Sequence, residues 1–547
     1  MKRPRNPLLE VIFVFAFSVL AFSSATDVYI TPDGSSQGVC TSNPQTPAWF
    51  NSSSNWGSGS SQIGPGTTVH LCGVFSGAAA SNVLTTQGNG ANSNPITIKF
   101  EAGARISAPS CGTFSTNPTG GCMSVKNQWV TVDGNNTGVI QSTLNGTSGN
   151  TCPGGTCSLN NPTAGVYVGA SNVVVKNLTV ADMYDRIPCG SNTEVNQQWG
   201  IVVDGGASAF TNVTVSGNTI HDAQQGVVVV GGSTNISNMT ITQNTIYHSS
   251  SSISVAEGGG AAGASNFTIS FNDIYDGYYW WDTGDGDHLN GMHLFAAAPG
   301  TSMNNFTLNG NYVHGDFGGS TCGGGGSHTT ALIFFETTGG GTGSGNGFYN
   351  NLLVSGKNDD PSNGLLNLGD PNDSGALVAN NTFVGANDGS GYSIMAGGTF
   401  TWKNNVTSGL TYGLYANGAG GSQVIACDHN NYYQPSTGWR LKSTIYSPFS
   451  SWQTAGYDAN GDNANPNLNA DYTLPSGSPA IGLGANLTSL GIAALNTGAP
   501  QTFGAGYACG TGCLARGASG NWDAGAYPYG TGDAPPNPPT GLAAVVN

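Results

Sequence analysis

The sequence predicts an all-β, single-stranded right-handed parallel β-helix, a solenoid with loop insertions along one edge. Three observations predict it. First, a phrase recurs in which an apolar-alternating strand is followed by Asn, one variable residue and a branched or aromatic apolar residue: Asn218-Thr-Ile220, Asn244-Thr-Ile246, Asn272-Asp-Ile274, Asn311-Tyr-Val313, and again from Asn351, Asn381 and Asn405. Second, neighbouring Asn positions are separated by 26, 28, 39, 40, 30 and 24 residues, the period of a solenoid. Third, short strands and Gly-rich turns fill these intervals without the helices that a βαβ protein needs between its strands. Rungs of such a coil stack at about 4.8 Å. A buried Asn repeated at one position could then bond the amide and backbone of the next rung, forming a ladder.

Composition agrees with a folded coil whose faces are Asn, Ser and Thr. Charged residues make up only 8% and Gly reaches 85, yet hydrophobic residues are 38%, too many and too periodic for disorder. The formal net charge is −16, which makes nucleic acid a poor partner and disfavours a strongly anionic polysaccharide unless a divalent cation bridges it.

In chain order, residues 1–25 are expected to be a signal peptide. Lys2, Arg3 and Arg5 precede an apolar run from Val11 to Phe22 and then Ser23-Ser24-Ala25, and that run is too short to span a membrane comfortably. Export implies an oxidising compartment, and the 11 cysteines suggest Cys111/Cys122, Cys152/Cys157 and Cys509/Cys513 as loop staples, with Cys40 and Cys72 clamping the start of the coil. Residues 26–163 are expected to form a cap and irregular first rungs, 164–434 the regular coil, and 435–530 the last rungs and a cap. Residues 531–547 are a Pro-rich linker and a short stub.

Asp27-Val-Tyr-Ile-Thr-Pro-Asp-Gly-Ser resembles the opening strand and turn of secreted β-helix proteins of the pectate-lyase-like (pectin lyase fold) superfamily. Asp471-Tyr-Thr-Leu-Pro-Ser-Gly-Ser-Pro-Ala-Ile-Gly482 resembles its closing segment, with Gly482 where members often carry Asp. The Trp522–Tyr527 phrase is expected to cover the end of the core. The superfamily hosts lyases, hydrolases, epimerases and adhesins, so the resemblance implies a fold and not one activity.

Aligning the Asn phrases locates the candidate site. Insertions fall at one bend, between Met183 and Gln198, Gly277 and Asn290, and Asp316 and Thr330, with short rungs between the first and the others. The result would be a groove on the order of 15 Å wide. The same bend collects Asp182, His221, Asp222, His248, Asp276, His314 and Asp316. Exposed bends favour polar residues in any case, but a column of His in a chain with 8 His is harder to explain so. Substrate contacts are assigned to Arg186, His221, Asp222, His248, Trp280, Trp281 and His314, the two Trp as a platform for sugar rings.

Met292 and Leu294 should point inward and His293 outward. Asp287-His288-Leu-Asn290-Gly-Met-His293 resembles the His-x-Asp-Gly-x-Gln/His phrase at polysaccharide sites of some β-helix enzymes, with Asn290 where Asp is usual. Catalytic candidates are Asp285, Asp287, His288, His293 and Glu336. Asp285 and Asp287 could alternatively bind calcium. Crowded carboxylates suit glycoside hydrolysis, whereas a lyase needs a base and neutralisation of a uronate, for which Lys and Arg are scarce. The residues leave both routes open. The expected protein is thus a secreted or cell-surface, monomeric protein acting on polysaccharide, with a non-catalytic adhesin or carbohydrate-binding solenoid as the other reading.

Overall fold

The computed structural model describes residues 24–112, 119–143, 163–184, 198–206, 209–231, 235–257, 263–279, 289–296, 298–320, 331–337, 339–356, 364–368, 372–385, 394–396, 398–416, 424–500 and 513–530. The expected parallel β-helix is what the chain forms. Strand Asp27–Ile30 lies parallel on Thr68–Leu71, which lies on Ile96–Phe100, then on Val130–Ser142 and Val173–Met183. Stacking therefore begins at Asp27, within the stretch expected to be irregular. The sheet continues through Phe210–Ser216, Asn235–Thr242, Thr268–Ser270, Thr307–Asn309 and Gly347–Tyr349 to Phe400–Lys403 and Val424–Asp428. Two further sheets stack in the same way; one carries Asp273–Tyr275 and Tyr312–His314, the other Gln198–Asp204 and Asn290–Phe295.

Alternation along each strand sends one set of side chains into the bore of the coil. Val213, Val215, Ile241, Ile269, Leu308 and Phe348 are all buried there, and so are Met292 and Leu294, as expected. Short helices close the ends. Pro47–Phe50, capped at its start by Thr46, seats Phe50 with Trp56 at the front, and Phe449–Thr454 seats Phe449 and Trp452 beside Tyr432 and Trp439 at the back.

The recurring Asn forms the expected ladder. Each Nδ2 donates to Oδ1 of the next Asn: Asn218 to Asn244, Asn244 to Asn272, Asn272 to Asn311, Asn311 to Asn351, Asn351 to Asn381 and Asn381 to Asn405, all at 2.9–3.0 Å. Each backbone N–H of these residues also donates to that same oxygen, and each Nδ2 donates to a carbonyl of the preceding rung, as Asn311 does to Ile269. The residue before each Asn sits in the left-handed region, where Asn and Gly are favoured and Gln243 (φ 60) and Phe271 (φ 58) are strained exceptions. In an earlier rung Leu178 occupies the ladder position, so the phrase first becomes visible at Asn218.

The ladder runs on from Asn405 to Asn430 and ends on a carboxylate. Asn430 donates its backbone N–H and its Nδ2 to Asp458 Oδ1, while Cys427 Sγ, the Tyr432 hydroxyl and Trp452 Nε1 donate to Oδ2. Burial pushes the Asp458 pKa up, against these hydrogen bonds that favour the ionised form.

Trp522–Tyr527, expected over the end of the core, instead lies against the outside of the coil. Trp522, Leu487 and Leu495 pack on Tyr349 and Ala379; Ala526, Tyr527 and Ala499 pack on Leu352 and Val354; Ala524, Leu474 and Ala480 pack on Val406. The outer faces of these rungs are apolar, so they need a cover, and the C-terminal segment folds back to supply it. Buried Arg516 pins it, donating to Asn350 Oδ1 and to the carbonyls of Asp523, Gly525 and Ala526.

Disulfides join Cys40 to Cys72 and Cys111 to Cys122. Cys513 is also disulfide-bonded, to a partner outside the described residues, and Cys427 is a buried free thiol. The expected leader and Cys152/Cys157 lie outside the described residues, among which no helix is long and apolar enough to cross a membrane.

Candidate functional site

Two adjoining columns form the bend. Asp182, Asp222, His248 and Asp276 all take positive φ (61, 52, 52 and 50). Asp tolerates this left-handed backbone because its short side chain can bond locally, so part of its presence here is conformational. In the next rung Gly315 fills the position, at φ 85. Register places these residues directly over one another: Ala181 pairs with His221 and Met183 with Ala223, while Tyr247 pairs with Tyr275.

The residues before Asp222, His248, Asp276 and Gly315 build a stack of rings. His221 lies on Tyr247 with centroids 4.9 Å apart, Tyr247 on Tyr275 at 5.0 Å, and Tyr275 against His314 at 5.3 Å. His314 also stacks on Tyr312, at 3.7 Å, and donates from Nε2 to Asp273 Oδ1 at 2.9 Å. The rings spend their faces on each other, while His221 and His314 turn ring nitrogens to Asp222 and Asp273.

At the centre sits a carboxylate held by two imidazoles. His221 Nδ1 is 2.6 Å from Asp222 Oδ2, and His248 Nδ1 is 3.1 Å from Oδ1. Burial alone would raise the Asp222 pKa, but the hydrogen bonds from His221 and His248 outweigh it and hold the carboxyl at about 2. The same contact with Asp222, against the cost of burial, raises the His248 pKa. One rung earlier Asp182 moves the other way: burial and then the Asp222 charge push its carboxyl up. Two carboxyl groups in one column are thereby driven apart in acidity, the condition that lets one remain protonated while its neighbour is ionised.

Beyond this bend, on the same strand as Asp222, Gln225 stands in register with Trp199 and Ser251, and Ser251 with Asn290. Gln225 Oε1, Trp199 Nε1 and Asn290 Nδ2 are buried there without a hydrogen-bond partner among the described residues. Buried polar atoms of this kind are costly unless water or a ligand hydroxyl satisfies them.

His293 and Glu336 come together on the outer face of the adjacent sheet, His293 Nε2 lying 3.0 Å from Glu336 Oε2 with the imidazole stacked on Phe334. His293 shares its column with Ser254 and Val228. Val228 follows Asp222 by six residues, so this pair stands up to about 20 Å from the bend. The sequence-predicted residues thus form two groups, His221, Asp222, His248 and His314 on the bend and His293 with Glu336 beside it. Arg186, Trp280, Trp281, Asp285, Asp287 and His288 lie outside the described residues, and with them the expected calcium ligands. Among the described residues no cluster of three or more His, Cys, Asp or Glu is placed to hold a metal.

Asp182 as an acid and Tyr247 and Tyr275 as stack members were not singled out as site residues. The signal for the stack was present: the phrases Ile220-His221-Asp222, Ile246-Tyr247-His248, Ile274-Tyr275-Asp276 and Val313-His314-Gly315 align with a ring at each second place.

No protein-family model matches the chain, and no curated relative matches it. Solved structures similar to it include pectate lyase Pel9A, at 14% identity and TM-score 0.39 over 88% of this chain and 96% of that one. A GH136 lacto-N-biosidase from Eubacterium ramulus is similar at 12% identity and TM-score 0.38, over 68% and 66% of the two chains. A PL6 family polysaccharide lyase from Pseudopedobacter saltans is similar at 11% and 0.34, over 74% and 87%. Such low identity and loose superposition bear on the coil alone and say nothing about activity.

Proposed function

We propose that the protein is an exported carbohydrate-active β-helix protein that hydrolyses a polysaccharide at the bend, with Asp182 as general acid and Asp222 as the ionised partner. The observation that carries this reading is the placement of two carboxyl groups in one column of consecutive rungs, Asp222 gripped by His221 and His248, with burial and the Asp222 charge raising the Asp182 pKa and the imidazoles lowering that of Asp222. Glycoside hydrolysis asks for one protonated and one ionised carboxyl flanking the bond. The unpartnered Gln225, Trp199 and Asn290 atoms suit a ligand rich in hydroxyls. Export is supported by the leader pattern of residues 1–25 and by the disulfides.

The substrate is a neutral glycan. The chain carries a net charge of −16, and the described residues of the bend columns include no Lys or Arg to neutralise a uronate. A lyase would also need a neutral base, and the raised His248 pKa works against that use.

The test is a panel of neutral and uronic polysaccharides assayed for reducing ends and for unsaturated products. Reducing ends without unsaturation, abolished in Asp182→Asn and Asp222→Asn variants that keep the wild-type circular dichroism, support hydrolysis. Unsaturated product would replace it with lyase action. Binding without turnover, unaffected by either substitution, would make the protein a carbohydrate-binding solenoid.

A further inference from the structure

Resting on that reading, the geometry points to hydrolysis with retention of anomeric configuration, through a covalent glycosyl ester on Asp222. Two observations carry it. The first is spacing: Asp182 and Asp222 occupy one column of consecutive rungs, bracketed by the Ala181–His221 and Met183–Ala223 pairs, and share the same left-handed backbone. The rung rise therefore sets the Cα spacing of the two residues on the order of 5 Å. Side chains carried on the same backbone in adjacent rungs suit the close carboxyl pair found where the second carboxylate attacks the sugar directly. Separations of about 6.5–9.5 Å, which leave room for a water, belong to inversion. The Asp222 charge also acts on the Asp182 carboxyl, in keeping with this placement.

The second observation is the role that the imidazoles leave to Asp222. A general base in an inverting enzyme must take a proton from water, and a carboxylate held at about 2 takes it poorly. A nucleophile needs only to be ionised and aimed. His221 grips Oδ2 at 2.6 Å and fixes the carboxylate plane, while the longer 3.1 Å contact from His248 leaves Oδ1 the more available oxygen.

In the first step an Asp222 oxygen bonds to the anomeric carbon as the glycosidic C–O bond breaks, and the departing oxygen takes the proton of Asp182. In the second step water attacks the anomeric carbon and gives a proton to the Asp182 carboxylate. The ester C–O bond breaks, and Asp222 leaves as carboxylate. Net consumption is one water per bond, both carboxyl groups return to their starting states, and two displacements restore the original configuration.

The experiment follows the anomeric protons of the first product by NMR, before mutarotation, on whichever neutral polysaccharide the wild-type protein cleaves. In parallel, Asp222→Gly is assayed with sodium azide. Gly suits the left-handed backbone at this position, so this variant folds with little strain. Retained product from the wild type is expected. The glycine variant is expected to lose activity by on the order of 10³-fold, and azide to restore turnover as a glycosyl azide of inverted configuration. Inverted first product from the wild type would overturn the covalent step while leaving hydrolysis standing. Absence of turnover on every neutral polymer would overturn the hydrolase reading and this inference with it.

Discussion

Replacing Asn351 with alanine should cost about 4 kcal/mol of stability, although the residue touches no candidate site group. Asn351 makes side-chain bonds in both directions. It donates to Leu308 O and Asn381 Oδ1 and accepts from the backbone N–H and Nδ2 of Asn311, all at about 3.0 Å. Alanine removes all of them. The Asn311 Nδ2 keeps its bond to Ile269 and the Asn381 oxygen keeps the backbone N–H of residue 351, but the Asn311 backbone N–H is left buried without its acceptor. An orphaned buried donor costs about 1–3 kcal/mol, and each remaining lost bond about 0.5–1.5 kcal/mol. Asn351→Asp separates hydrogen-bond polarity from size. It keeps the accepted bonds but turns both donated ones into contacts between oxygens, and it buries a charge. At neutral pH it should be worse than alanine. Burial raises the new carboxyl's folded pKa, so its penalty is full above that value and shrinks as pH falls toward about 4. Urea midpoints by circular dichroism measure both variants, and amide exchange of Asn311 reports the orphaned donor directly. An alanine variant within 1 kcal/mol of wild type, with Asn311 still protected, would refute the claim that the ladder holds the rungs together.

His248→Ala should raise the Asp222 pKa from about 2 toward its ordinary value, read by carboxyl carbon NMR; a value still near 2 would leave His221 as the sole support. Because the folded Asp222 pKa is depressed, its contribution, on the order of 2 kcal/mol, is present above about pH 4 and fades as pH falls toward 2. The His248 contribution has the opposite sense, full below its unfolded pKa and lost as pH rises through its raised folded pKa, so stability should decline at both ends. Arg516→Ala should weaken docking of residues 465–500 and 513–530 by about 3 kcal/mol, since it leaves several buried carbonyls unpaired. Limited proteolysis should then cut that segment while the coil persists. Breaking the Cys40–Cys72 bond, which spans 32 residues, with a double serine variant should lower stability by about 4 kcal/mol in chemical unfolding.

The sequence made the coil legible because its determinants are local. An inward Asn, the left-handed residue before it and the alternating strand all fall within one short phrase, so stacking follows from repetition. The bend column was legible for the same reason, and His221, Asp222, His248 and His314 were found together. What escaped notice depends on partners distant along the chain. Asp458 sits in Asp458-Ala-Asn460-Gly-Asp462, which looks like an oxygen-ligand loop, and only the approach of Asn430, Cys427 and Trp452 shows it closing the ladder. Similarly, Leu352 and Val406 read as ordinary strand residues, and their apolar outer neighbours come from residues 468–527, far away in sequence. The opposed acidities of Asp182 and Asp222 arise from burial, from the Asp222 charge one rung away from Asp182, and from His248 one rung beyond the adjacent His221, and burial and cross-rung contact are not revealed by residue type.

The ladder has a direction, and that constrains how a protein of this kind can lengthen. Every amide hands its hydrogen onward and receives one from behind, so a duplicated turn bearing the phrase can be spliced anywhere between Asn218 and Asn430 with its connections already correct. Asp458 receives at both oxygens and passes nothing on. Growth past that terminus would need a new stopper as well as a new turn, which makes duplication from within the easier route to a longer molecule.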